Sequence, residues 1–68
     1  MLNTYFDKER LIITCRENGG DIEYDYKYFQ KDFEEWANEL DVFIADIDHL
    51  KQYLNECGYK VINIKEVV

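Results

Sequence analysis

Proline and serine are both absent from this chain, and glycine occurs only at Gly19, Gly20 and Gly58. Without serine there is no serine nucleophile, which excludes hydrolases built on that chemistry. With so few glycines there is no glycine-rich phosphate loop, since Gly19-Gly20 joins two strand-like runs and opens no helix. The only cysteines are Cys15 and Cys57, too few for a disulfide scaffold. Both are expected to be small buried hydrophobes in a reducing compartment. His49 is the lone histidine, and neither a CxxC nor an HxxxH spacing occurs, so no zinc site follows from spacing. His49 is expected to sit exposed on a helix. No purely apolar run exceeds four residues, far below the ~20 that a membrane helix needs. Residues 1–10 lack a basic start followed by an apolar stretch, so no secretory signal is expected. The expected compartment is the cytosol of a bacterial or phage-infected cell.

What remains is acidic, aromatic and short. At 68 residues the chain is expected to be a single domain over 1–68. Such a length excludes separate cofactor and substrate domains. A chain that is 47% hydrophobic is still a plausible globule. Asp46-Ile47-Asp48 has the acid spacing of a calcium loop but lacks its glycine and distal glutamate. No two carboxylates stand out as an acid–base pair, and nothing implies a cofactor. A minimal enzyme or metal protein is therefore the least favoured class.

Local patterns predict an α+β fold. Asn18-Gly19-Gly20 separates the β-branched run Leu11–Arg16 from the alternating run Asp21–Tyr26, which predicts a tight hairpin. Asn3–Phe6 is a candidate extra strand. From Tyr28 to Cys57 there is no glycine or proline. Apolar residues recur there at Phe29, Phe33, Trp36, Leu40, Phe43, Ile47, Leu50, Leu54 and Cys57, in steps of 4 and 3. Two helices, near 28–40 and 46–57, are preferred to one long helix. Asp41-Val42-Phe43-Ile44 is poor in helix formers, Asp41 is a candidate cap, and Asp46 or Asp48 suits the second N-cap. A single long helix would leave the stripe exposed and call for a homodimer. Gly58 is placed to end the helix, and residues 59–68 predict a closing strand. The expected architecture is a small antiparallel sheet, hairpin plus C-terminal strand, packed on one or two helices in the order β-β-α-α-β.

The charge is uneven. Of 15 acids and 8 bases, residues 21–48 hold ten acids and two bases, a net -8, while the other forty residues hold five acids and six bases, a net +1. On a strand, Asp21, Glu23 and Asp25 point to the side opposite Ile22, Tyr24 and Tyr26, spaced at about 6.6 Å, the order of successive nucleic-acid phosphates. On a helix, Asp32, Glu35 and Glu39 share a face. Few of these have a basic partner at helical spacing. Phe29, Phe33 and Trp36 are expected in the core, and Tyr28, beside the acids, is the candidate interface aromatic. A charge run is most often only a solvated face that keeps a small protein soluble.

This balance argues against direct nucleic-acid binding, which needs clustered bases, and against an anionic membrane surface. It favours a basic protein partner, above all one that itself binds nucleic acid. In size, charge and helix–hairpin makeup the chain resembles small phage-encoded anti-defence proteins such as anti-CRISPR, anti-restriction and glycosylase inhibitors. That resemblance implies an inhibitor filling a basic groove with the carboxylates of Asp21, Glu23, Asp25, Asp32, Glu35 and Glu39, with Tyr28 beside them. The alternative expectation is a non-enzymatic interaction or regulatory module. It would be a homodimer through the Phe29–Leu54 stripe, or an immunity or antitoxin protein against a basic nuclease.

Overall fold

A computed structural model describes residues 2–67. Its elements are β1 (Asn3–Thr4), β2 (Leu11–Glu17), β3 (Gly20–Asp25), α1 (Tyr26–Glu39), β4 (Ile44–Ala45), α2 (Ile47–Glu56) and β5 (Lys60–Glu66). The antiparallel sheet has the order β3-β2-β5, so the hairpin and the closing strand meet as the α+β reading expects. Asn18 and Gly19 both take positive φ, 51° and 82°. That is the turn geometry matching the right-handed twist of a hairpin, and Asn-Gly adopts it with least strain.

Leu11, Ile13 and Cys15 alternate along β2 at 0–1% exposure, and both helices cover that face of the sheet. α1 adds Tyr26, Phe29, Phe33 and Ala37 to the core, and α2 adds Leu50, Tyr53 and Leu54. Phe33 stacks on Trp36, with ring centroids 5.8 Å apart, and Tyr53 meets both rings at 5.6 Å. This cluster ties α1 to α2. Each fully buried aromatic is worth about 2 kcal/mol of transfer free energy, a large share for a domain this small.

The chain forms two helices, and both end in the same way. Gly58, at φ 89°, follows α2; its N–H donates to Asn55 O and that of Tyr59 to Leu54 O. Asp41, at φ 57°, follows α1; its N–H donates to Asn38 O and that of Val42 to Ala37 O. Both are Schellman ends, in which a left-handed residue reverses the chain. Asp41 therefore ends α1 and caps no N-terminus. Asp46 is the N-cap of α2, as its position before Ile47 suggests.

Four further expectations are corrected. Tyr26 does not extend the hairpin strand: it opens α1, and its side chain is fully buried. The apolar stripe does not run unbroken, because the turn at Asp41 swings Leu40 and Phe43 outward to 53% and 70% exposure. Phe29, Phe33, Leu50 and Leu54 of the stripe are buried within one copy of the chain. Cys57 is exposed, while Cys15 is buried as expected. The N-terminal strand is only Asn3–Thr4, and it pairs in parallel with Ile44–Ala45 and not with the main sheet.

Candidate functional site

The strand acids lie on the uncovered face of the sheet, opposite Ile13 and Cys15. Pairing across the three strands aligns three rows with β2 in the middle: Asp25–Ile12–Lys65, Glu23–Thr14–Asn63 and Asp21–Arg16–Lys60. Ile62 is the unpaired residue of the bulge between Val61 and Asn63. These nine paired positions hold three acids, Asp21, Glu23 and Asp25, and three bases, Arg16, Lys60 and Lys65, and so balance to zero. Arg16 Nε donates to Asp21 Oδ1 at 3.1 Å. The uncovered face is thus a charge-balanced surface, acidic at its β3 edge and basic at its β5 edge.

The helix acids are arranged differently. Tyr28, Asp32, Glu35 and Glu39 step by 4, 3 and 4 along α1 and form one outer line. At 3.6 residues per turn this line lies roughly 135° around the helix from the buried residues Tyr26, Phe29, Phe33 and Ala37. All four are exposed. Among the described residues, no ion pair engages Asp32, Glu35 or Glu39, whereas Glu34, on the flank, meets Lys8 Nζ at 3.6 Å. The outer line carries three negative charges and no base. The two acidic sets, contiguous in sequence, therefore leave the fold in different directions.

Tyr28 is held in place although its side chain is 65% exposed. Its ring packs 4.8 Å from Tyr24 and 5.0 Å from Phe29, centroid to centroid. Tyr24 is fixed in turn by its hydroxyl, which donates to the Glu17 carboxylate; that hydrogen bond, with some burial, pushes the phenol up to about 12. Tyr59 closes the group, 5.2 Å from Phe29. The result is an exposed aromatic packed against Tyr24 and Phe29 at the head of an acidic line.

The remaining polar groups serve the fold. Asp46 and His49 form the capping box of α2. Burial pushes the Cys15 thiol up, which keeps it protonated and unreactive. Burial also raises the Tyr53 phenol, with Cys57 and Asp32 adding to the shift. Among the described residues, no three His, Cys, Asp or Glu side chains come together as metal ligands, and no helix is long and apolar enough to cross a membrane.

Sequence reasoning missed one feature. A cleft of about 480 Å³ opens between α1 and the turn that follows it, with Leu2 and Val42 beside it and Phe43 on its rim. The sequence places Phe43 on the apolar stripe and in the break between the helices, which gives no sign that it is exposed beside a cleft. The signal that marks the break is Asp41, a residue that tolerates the left-handed region and lies between two helical patterns. Comparison with known protein families, with curated proteins and with solved structures gave no match to this chain.

Proposed function

We propose that this chain is a non-enzymatic protein ligand, whose outer α1 line occupies a basic groove on a nucleic-acid-handling protein. The observation that carries the reading is the contrast between its two acidic sets. Asp21, Glu23 and Asp25 sit on a face that balances to zero, while Asp32, Glu35 and Glu39 follow a fixed Tyr28 with no base on their line. Like charges in a row cost folding stability, and a basic partner offsets that cost on binding. An exposed, preorganised tyrosine is the kind of anchor that interfaces favour. An inhibitor of the anti-defence type, working in the cytosol, fits this surface. The strand acids belong to the neutral sheet face and lie outside the contact.

The test is capture of partners on tagged protein at low and high salt. For each captured partner, affinity is then measured by titration, with and without competing nucleic acid. The reading expects a basic, nucleic-acid-binding partner, released by salt, competing with nucleic acid, and lost on Asp32→Lys, Glu35→Lys, Glu39→Lys. A partner that survives high salt, or that ignores this triple reversal in a variant still folded by circular dichroism, overturns it.

A further inference from the structure

We propose that the cleft between α1 and Phe43 is an anchor pocket for one arginine side chain of the basic partner, an inference that rests on the protein-binding reading above. The cleft has an apolar side, Leu2 and Val42, of which Leu2 is only 7% exposed. Its rim carries the phenyl ring of Phe43, 70% exposed. Its ionisable lining is Glu34, Glu35 and Lys31, which together with the Lys8 ammonium on Glu34 balance to zero. Glu34 is already engaged: Lys8 lies 3.6 Å away and the Gln30 amide donates to it at 2.9 Å. Glu35 has no ion-pair partner among the described residues, and it belongs both to the cleft and to the outer line of α1. It therefore joins the pocket to the proposed contact surface.

The chemistry selects arginine. An aliphatic stem covers Leu2 and Val42 while its charged head stays at the rim. A planar guanidinium stacks on an exposed phenyl ring and forks onto a carboxylate, and an ammonium does neither as well. A volume of about 480 Å³ falls in the ~300–1,000 Å³ range of ligand-holding pockets. It is large enough for one long side chain with part of its backbone. Lys31 is the one lining group that opposes the occupant, and this gives the proposal a signed test.

The probe is the tripeptide N-acetyl-Gly-Arg-Gly-amide, titrated into the ¹⁵N-labelled full chain, with Lys and Leu tripeptides as controls. The arginine peptide is expected to shift the amides of Leu2, Glu35 and Phe43, the lysine peptide to bind severalfold more weakly, and the leucine peptide not to bind. Phe43→Ala and Glu35→Gln are each expected to weaken binding about two- to fivefold, and Lys31→Gln to strengthen it about twofold. Both Phe43 and Glu35 are exposed, so these variants keep the core intact. No shift at Phe43, equal binding of arginine and leucine peptides, or weaker binding by Lys31→Gln overturns the pocket. A captured basic partner whose affinity is unchanged by Phe43→Ala overturns the pocket and leaves the α1 surface standing. Arginine-peptide binding as described, with no basic partner captured, supports the pocket and counts against the α1 reading.

Discussion

Asp46 and His49 cap each other across the first turn of α2. The Asp46 Oδ1 accepts from the His49 backbone N–H at 3.1 Å, and the Asp46 backbone N–H donates to His49 Nδ1 at 3.2 Å. Two of the unpaired amides at a helix start are satisfied by one reciprocal pair. The imidazole takes the place that a glutamate or glutamine usually fills.

This pair makes α2 sensitive to acid. The hydrogen bond from the His49 backbone amide holds the Asp46 carboxyl below its ordinary value of 3.8. A carboxyl lowered in the folded state contributes stability that is full above the unfolded value and lost as pH falls through the folded one. Thermal melts at pH 7 and near pH 3 should show a larger loss for the parent than for Asp46→Asn, which keeps an acceptor but does not titrate. Asp46→Ala should lower the Tm even at pH 7. Equal acid sensitivity in parent and Asp46→Asn would exclude Asp46 as the source.

The end of α1 holds a stability reserve. Asp41 sits at φ 57° where the equivalent residue of α2 is Gly58. It also puts a negative charge at a helix C-terminus, against the helix dipole. Asp41→Gly should stabilise by about 0.5–1 kcal/mol, seen as a shift in the denaturant midpoint. A lower midpoint would mean that the Asp41 side chain makes a contact worth more than the strain.

Tyr26 is the one described residue whose buried side-chain oxygen has no hydrogen-bond partner in the protein. Its ring packs edge-on against Phe6 at 5.2 Å and Phe33 at 6.1 Å, so the ring belongs in the core while its hydroxyl does not. Tyr26→Phe keeps the ring and removes the orphan, and should stabilise by about 1 kcal/mol. Chemical denaturation measures this directly.

Phe33 touches Tyr26, Trp36 and Tyr53 at full burial. Phe33→Ala should cost about 3–5 kcal/mol. That approaches the whole stability of a small domain, about 5 kcal/mol at the low end. Phe33→Leu should stay folded with a reduced Tm. If Phe33→Ala melts within a few degrees of the parent, the aromatic junction of α1 and α2 is not the centre of the core.

The two acidic sets are separable by mutation. Asp21→Lys, Glu23→Lys, Asp25→Lys replaces a balanced sheet face with a strongly basic one and breaks the Arg16–Asp21 pair. Affinity for a partner on the α1 line should then change by no more than about the fewfold expected of exposed, screened charges. A complete loss, with the fold retained, would move the contact to the sheet.

Local chemistry carried much of the fold. Asn18-Gly19 imposes the hairpin because few other pairs adopt two successive positive φ angles. Gly58 and Asp46 mark the ends of α2 through capping preferences that act within one turn. The order of residues along the chain alone set the charge asymmetry. Tertiary structure decided the rest, through contacts between residues far apart in the chain. Pairing of Asn3–Thr4 with Ile44–Ala45 spans about forty residues and has no local signature. Tyr26 reads as the end of an alternating strand, and burial against Phe6 and Phe33 makes it the first residue of a helix. Phe43 keeps the helical phase of the stripe, yet the left-handed turn at Asp41 puts it on the rim of a cleft. A run of acids in sequence states a charge and no direction. Only the sheet register and the buried side of α1 decided that Asp21, Glu23 and Asp25 share a charge-balanced face, with Asp21 paired to Arg16, while among the described residues no ion pair engages Asp32, Glu35 or Glu39.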